Sequence, residues 1–155
     1  MFLHGIGGSA RLLGEFMMSR MRICGSCKLC CTLLKVPELE KTEGVPCPFL
    51  CDKGCGIYTS RPAACRNFRC AWLNGELSEN MRPDKVGVII EKLPTGKTVL
   101  ADSAEQDTPI PKEIIDFYTS NGLAIAARGQ RVYLPKNMTR KDVYHDLRDA
   151  VSFLK

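Results

Sequence analysis

Hydrophobic and polar positions follow a regular pattern only in the second half of the chain. The segment VGVIIEKL at 86–93 is rich in β-branched residues, and the turn sequence PTGK joins it to TVLADS at 98–103. This pattern predicts a β-hairpin. A second hairpin is predicted where LAIAA at 123–127 and RVYLP at 131–135 flank a turn centred on Gly129.

Two amphipathic helices accompany these hairpins. The sequence EIIDFYTSNG predicts a helix that ends at Asn121-Gly122 and whose apolar face carries Ile114, Ile115, Phe117 and Tyr118. Near the C-terminus, Thr139 can cap a helix, and the apolar stripe of that helix would be Val143, Leu147, Ala150, Val151 and Leu154. The predicted order of elements is ββαββα, and the fold class is α+β.

The first half of the chain lacks this periodicity and holds all nine cysteines. Residues 22–72, called the cysteine zone here, also contain Pro37, Pro46, Pro48 and Pro62. We expect loops and short helices there, with one helix over Lys28–Leu34 and another after Arg61-Pro62. Before this zone, residues 1–21 are rich in glycine and methionine, which indicates an N-terminal arm with a short helix at 11–18.

These zones predict an arm at 1–21 and a single metal-binding domain at 22–155, made of the cysteine zone and an α+β zone at 83–155. The chain has 155 residues, of which 45% are apolar and 25% charged, as in soluble globular domains. No apolar run approaches the roughly 20 residues that a membrane-spanning helix needs. Residues 1–21 lack the basic leader and cleavage site of a secretory signal, so we expect a cytoplasmic, reducing compartment.

In a reducing compartment, dense cysteine indicates metal binding rather than a disulfide framework. The stretch CGSCKLCC contains Cys24, Cys27 and Cys30 in CxxCxxC spacing, followed at once by Cys31. Because neighbouring side chains diverge along the backbone, we expect Cys31 to serve another centre. The remaining cysteines are Cys47, Cys51, Cys55, Cys65 and Cys70. All nine are predicted metal-site residues, enough for two four-ligand sites with one thiol left over, or for one site.

The spacing leaves zinc and an iron–sulfur cluster both open, because each is held by four thiolates. Basic residues of the cysteine zone could offset the negative charge of such a centre: Arg22, Lys28, Arg61, Arg66 and Arg69. The formal charge of the chain is +5 with every thiol neutral. Two centres of about −2 each would lower it to about +1. The basic excess is therefore weak support for a nucleic-acid partner.

Taken together, CGSCKLCC at 24–31, CPFL at 47–50 and CGIYTSRPAACRNFRC at 55–70 resemble the CxxCxxCC family of zinc- or iron-chelating proteins, the YkgJ-like group. RPDKVGVII at 82–90 also resembles the segment after the cysteines in that family, though more loosely. The resemblance implies eight metal-binding cysteines, with Cys51 as the departure from the pattern. It also implies packing and hydrogen bonding around the metal by Tyr58, Arg61, Pro62, Arg66 and Phe68.

Two other patterns resemble nucleotide-binding loops but lack their context. GIGGSA at 5–10 has no strand before it, and TGKT at 95–98 has Glu91 where a phosphate-binding loop needs glycine, so we interpret it as a hairpin turn. His145 is expected on a helix surface, which leaves no nucleophile–base pair to propose. The acidic residues of the final helix are expected on a solvated face: Asp142, Asp146 and Asp149.

Three functions fit these patterns. The first is a structural zinc or iron–sulfur module that presents a surface to a protein partner or assembly, without a membrane. The second is an iron–sulfur protein in electron transfer or metal handling. The third is a metal-dependent modifying enzyme, which would require an open coordination position on the metal.

Overall fold

The computed structural model describes residues 22–105, 107–127, 129 and 131–153. The predicted arm at 1–21, with its helix at 11–18, and Leu154 of the predicted apolar stripe lie outside these residues. Among the described residues, none of the helices combines the length and the apolar character needed to cross a membrane.

The described chain contains both helices and sheets, so the predicted α+β class is confirmed. The α-helices are α1 (Leu29–Leu33), α2 (Ala63–Asn67), α3 (Pro83–Val86), α4 (Lys112–Ser120) and α5 (Arg140–Phe153). The strands are β1 (Leu50–Cys51), β2 (Gly54–Cys55), β3 (Val88–Lys92), β4 (Thr98–Ser103), β5 (Ala124–Ala127) and β6 (Val132–Tyr133). Short 3-10 helices lie at Pro37–Leu39, Tyr58–Ser60 and Glu79–Met81.

Strands β3 to β6 form one four-stranded sheet in chain order. The β3–β4 and β5–β6 pairs are antiparallel, which confirms both predicted hairpins. Between them β4 pairs with β5 in parallel, with Val99 opposite Ile125. The strands are parallel because a crossover containing α4 returns the chain to the end of the sheet at which β4 starts. The order ββαββα is therefore present in full.

Strand β3 begins later than its sequence predicts. Val86 was expected to open the strand, but it ends α3 instead, and Gly87 follows with a left-handed φ of 73°. Pro83 suits the first turn of a helix, and glycine adopts a positive φ at no steric cost. Together they form one helical turn that reverses the chain before β3 starts at Val88.

One face of the sheet packs against α4 and carries the main apolar core. Its buried side chains are Val88, Ile90, Val99, Ala101 and Ile125. Ile114 and Tyr118 of α4 and Trp72 of the cysteine zone complete this core. Phe117 was predicted on the buried face of the helix but is 40% exposed, because Ile114 and Tyr118 set the direction of that face. Its ring meets Tyr118 edge to face at 5.0 Å.

The opposite face of the sheet carries the alternate residues of the same strands, including Ile89, Glu91 and Asp102. Helix α5 contacts β4 on this side, where Leu147 lines a cavity of about 330 Å³ together with Leu100 and Asp102. The cysteine zone meets the same face through α1, which contacts β3. The sheet therefore lies between the main core and most of the cysteine zone, whereas Ala71 and Trp72 reach the core.

Helix α5 begins as predicted. The Asp142 amide donates to Thr139 Oγ1 at 3.3 Å, and the Thr139 amide donates back to Asp142 Oδ2 at 2.7 Å, which is a reciprocal cap. Two predictions for this helix are wrong: Val151 is 57% exposed and Asp146 is only 5% exposed. The buried stripe is centred on Val143 and Ala150, so it turns Asp146 inward and Val151 outward.

Asp146 is an unfavourable residue at this buried position. Its Oδ2 atom is buried and has no hydrogen-bond partner among the described residues, and a buried carboxylate oxygen without a donor destabilises the fold. We therefore expect Asp146→Asn, which removes the charge and keeps the shape, to raise the free energy of unfolding by about 1 kcal/mol. Urea unfolding at neutral pH measures this change in the free energy of unfolding, and Asp149→Asn, at an exposed position, is the control. A loss of stability in Asp146→Asn alone would show that this carboxylate has a stabilising partner.

Candidate metal centre

Eight of the nine cysteines line a single cavity of about 860 Å³ between the cysteine zone and the sheet. They are Cys24, Cys27, Cys30, Cys31, Cys47, Cys55, Cys65 and Cys70. Cys51 is the exception, since it lies exposed on β1 and does not line the cavity. The structure thus separates Cys51 from the eight cysteines that the family resemblance singles out.

A short loop and α1 place the first four of these thiols. The Cys27 amide donates to the Cys24 carbonyl at 3.0 Å, which closes a turn at Gly25. Helix α1 then carries Cys30 and Cys31, within the helix that the sequence predicts over Lys28–Leu34. A tight turn followed by a helix directs several sulfurs of a CxxCxxC motif toward the same space.

A second segment adds Cys47 and Cys55. The Cys47 amide donates to the Cys31 carbonyl at 2.9 Å, and Leu50, which pairs with Cys55 in the β1–β2 hairpin, donates to the Cys47 carbonyl at 3.0 Å. The hairpin packs against the first loop at Gly54, where a Cβ atom would lie 2.6 Å from the Gly25 carbonyl oxygen. Only glycine permits this approach, and sequence reasoning did not predict the hairpin.

The last two thiols, Cys65 and Cys70, flank the end of α2. The predicted helix after Arg61-Pro62 is present, and the Ala64 amide in its first turn donates to Glu38 Oε1 at 3.0 Å. This hydrogen bond lowers the pKa of the Glu38 carboxyl, as expected for an anion at helical N–H groups.

Arg22 connects the two ends of the cysteine zone. Its Nη1 donates to the carbonyls of Trp72 at 2.7 Å and Leu77 at 2.6 Å. Its guanidinium also lies over the Trp72 ring, 5.0 Å from the centroid. These contacts hold the segment that begins with Cys24 beside the segment that contains Cys70.

Only one of the five basic residues predicted to offset the charge lines the cavity. Arg61 does so, and its guanidinium stacks on Tyr58 with Cζ 3.6 Å from the ring centroid. Arg66 supports it indirectly by donating to the Arg61 carbonyl at 2.6 Å. Arg69 instead bonds Asn74 and the Leu73 carbonyl. Arg22 bonds the Trp72 carbonyl and lies over the Trp72 ring. Lys28 does not line the cavity.

The resemblance assigned five accompanying residues, and four of them line the cavity: Tyr58, Arg61, Pro62 and Phe68. Two acidic residues that the sequence analysis did not select, Glu91 and Asp102, line it from the sheet. Burial raises the pKa of the Glu91 carboxyl, and the charge of Asp102 raises it further. The alternation of β3, which places Glu91 on the same face as Ile89, is the sequence signal that could have identified Glu91.

A buried lysine near the thiols was also missed. Lys41 is only 4% exposed, and its ammonium donates to the carbonyls of Leu34, Thr32 at 3.3 Å and Thr42 at 3.2 Å. These bonds satisfy carbonyls at and beyond the end of α1. No local sequence signal distinguishes Lys41 from a surface lysine, because its carbonyl partners are brought together only by the fold.

Cys30 and Cys31 are neighbours on α1, and both line the cavity. Interaction with Cys30 lowers the pKa of the Cys31 thiol, and the positive charges of Lys41 and Arg61 lower it further, whereas the Cys31 sulfur and burial raise the pKa of Cys30. The expectation that the two cysteines serve different centres stays a prediction.

Apolar side chains line the cavity together with the thiols, among them Leu34, Ile57 and Phe68. In a tetrahedral zinc site each sulfur lies about 2.3 Å from the metal. Among the described residues, no group of three or more His, Cys, Asp or Glu side chains is arranged to hold one metal ion. Trp72 lines the cavity, and its buried Nε1 has no hydrogen-bond partner in this part of the chain. A sulfur-rich anionic centre would provide an acceptor.

Comparison with known proteins adds no relative: no family model, no curated protein and no solved structure matches this chain. The resemblance to the YkgJ-like group therefore stays a prediction.

Removal of the Lys41 ammonium is expected to destabilise the fold. Lys41→Met keeps the length of the side chain but removes the ammonium that the carbonyls of Thr32 and Leu34 accept from, and an unsatisfied buried acceptor costs roughly 1–3 kcal/mol. The midpoint of urea unfolding, measured under anaerobic conditions, is expected to fall accordingly. Lys136→Met, at an exposed position, is the matched control, and an equal small effect in both variants would contradict the structural role of Lys41.

Proposed function

We propose that this chain is an iron–sulfur protein that transfers electrons to or from a protein partner in a reducing, cytoplasmic compartment. The observation that carries the proposal is the gathering of eight of nine thiols around one cavity of about 860 Å³. Thiolates are the usual ligands of iron–sulfur clusters. The eight cavity cysteines would hold the inorganic centre, and Cys51 would not take part.

The size of the cavity favours iron–sulfur over zinc. A cluster places several iron and sulfide ions between its cysteine ligands, so the thiols surround a volume instead of converging on a point. The eight thiols line a cavity of about 860 Å³ that apolar side chains also line, and among the described residues no three of the thiols are arranged around one ion. A structural zinc module, the alternative that uses the same cysteines, would require each set of four sulfurs to close in around one ion.

Charges of both signs surround the cavity. Its lining includes the acidic residues Glu43, Glu91 and Asp102 and the basic residues Lys35 and Arg61. Arg61 is stacked on Tyr58, and Lys41 is held by three carbonyls near Cys31. Because charges buried without compensation are costly, these two cations would offset part of the charge of a bound cluster. The unpartnered Trp72 Nε1–H is suited to donate to its sulfur.

The ligand set favours electron transfer over catalysis. When bound, an iron–sulfur cluster accepts and donates single electrons at a potential that hydrogen bonds, charge and solvent exposure tune. Eight thiols are enough to fill every protein-ligand position of the centre, which leaves no open position for a substrate. We therefore favour electron transfer over the modifying enzyme.

A protein partner is supported by apolar side chains that the cysteine zone exposes. They are Ile23, Val45, Phe49 and Tyr58. Ile23 lies next to Cys24, and Tyr58 lies on the cavity wall. Exposed apolar and aromatic residues beside a redox centre are suited to transient docking.

The metal content of anaerobically purified protein tests the proposal. We expect iron and acid-labile sulfide, with a brown absorption near 400 nm that dithionite bleaches. Cys51→Ser is expected to keep the iron, because Cys51 lies outside the cavity, whereas Cys27→Ser loses iron. A colourless protein with stoichiometric zinc would establish the structural zinc module instead, and a folded protein without either metal would refute both.

Removal of the centre is expected to loosen only the front half of the molecule. From residue 22 to residue 70 the buried apolar side chains are few: Leu33, Val36 and Cys47. The sheet has its own core against α4. After chelation under reducing conditions, amide hydrogen exchange in the cysteine zone should therefore accelerate by at least tenfold, while β3 to β5 stay protected. Equal protection of the cysteine zone with and without metal would contradict an organising role for the centre.

A further inference from the structure

We propose that the eight cavity thiols form two separate four-thiolate sites that meet at the peptide bond between Cys30 and Cys31. The first site consists of Cys24, Cys27, Cys30 and Cys70. The second consists of Cys31, Cys47, Cys55 and Cys65. This assignment rests on the proposed function, which it deepens by giving each ligand to one of two centres.

The backbone brings together the members of the first site. Cys24 follows Arg22 by two residues, and Cys70 precedes Trp72 by two residues. Because Arg22 Nη1 donates to the Trp72 carbonyl at 2.7 Å, Cys24 and Cys70 lie at neighbouring positions despite their distance in sequence. The Cys27 amide bonds the Cys24 carbonyl at 3.0 Å, and Cys30 follows one helical turn later. The unpartnered Trp72 Nε1–H belongs to this end of the cavity.

A different set of contacts assembles the second site. The Cys47 amide bonds the Cys31 carbonyl at 2.9 Å. Cys47 and Cys55 are connected through Leu50, which bonds the Cys47 carbonyl at 3.0 Å and pairs with Cys55 across the β1–β2 hairpin. Cys65 lies in α2, lines the same cavity and completes this set. Lys41, whose ammonium bonds the carbonyl of Thr32 next to Cys31, lies at this end.

Adjacent ligands would place the two centres side by side. Consecutive Cα atoms lie about 3.8 Å apart, so centres held by Cys30 and Cys31 are joined by two cysteine side chains and one peptide unit and cannot lie far apart. Two paramagnetic clusters so close together interact magnetically, and a single cluster cannot show that interaction. This gives the proposal a spectroscopic signature that is independent of any activity.

Metal counts in matched Cys→Ser variants test the division. After anaerobic reconstitution we expect about eight iron atoms per chain, taking four per cubane cluster with four thiolates. Cys70→Ser and Cys65→Ser should each retain about half of the iron, and Cys51→Ser should retain all of it. The electron paramagnetic resonance spectrum of the dithionite-reduced protein should show coupled clusters. Each of the two half-loaded variants should instead show one uncoupled cluster, with different spectra in the two variants.

Each of the other outcomes overturns the two-site assignment, the iron–sulfur function or both. About four iron atoms in the unaltered protein, lost completely in both Cys65→Ser and Cys70→Ser, would overturn the two-site assignment and leave the iron–sulfur function standing. Two zinc ions per chain, falling to one in each variant, would keep the assignment and overturn the function. A folded protein without metal would overturn both.

A further variant covers the case in which the Cys→Ser variants do not fold. Trp72→Phe keeps all eight thiols and removes the unpartnered Nε1–H of the first site together with part of the ring that packs in the main core, so the iron content should stay at about eight. Because hydrogen bonds to sulfur raise the potential of a cluster, one of two resolved reduction potentials should fall while the other stays unchanged. An equal shift of both potentials, or a single potential, would overturn the assignment.

Discussion

The burial of crowded thiols, which opposes their ionisation, is the constraint on which the front half of this molecule depends. Eight thiols surround one cavity, and burial raises the pKa of Cys27, Cys55, Cys65 and Cys70, with neighbouring thiolates raising each further. Without added positive charge most of these groups stay protonated and contribute little cohesion. A cationic inorganic core would remove the repulsion and supply strong bonds at once, and this is the physical basis of the proposed centre.

The rest of the structure holds the sulfur-bearing segments at the edge of a preformed sheet. The Ala71 amide donates to the Ile90 carbonyl at 2.8 Å, which fixes the residue after Cys70 to β3. Trp72, one residue later, enters the main core and also receives the Arg22 clasp. Each cysteine segment is thus tied to a neighbour by backbone or guanidinium bonds, and the cavity lies between them instead of an apolar core.

Two fixed cations, Lys41 and Arg61, lie close to the crowded thiols. Lys41 stabilises the carbonyls that follow α1 and brings a positive charge near Cys31, so one side chain serves both backbone and sulfur. Arg61 has a similar double role, since it bonds the Tyr58 carbonyl, stacks on the Tyr58 ring and lines the cavity. These cations lie toward the Cys31 end, while Trp72 lies toward the Cys70 end, so the two ends of the cavity offer different surroundings to a bound centre.

The sequence by itself determined the α+β class, the ββαββα order and the short helices at Cys30–Cys31 and Cys65, because hydrophobic periodicity, turn residues and proline positions act locally. It also identified the cysteines, since their spacing is a local feature. Only the tertiary structure showed that Cys51 lies outside the cavity, and only it revealed Lys41 and the burial of Asp146. Those properties depend on which distant segments meet: the Arg22–Trp72 clasp, the Cys47–Cys31 bond and the packing of α5 on the sheet join residues whose proximity no local pattern records.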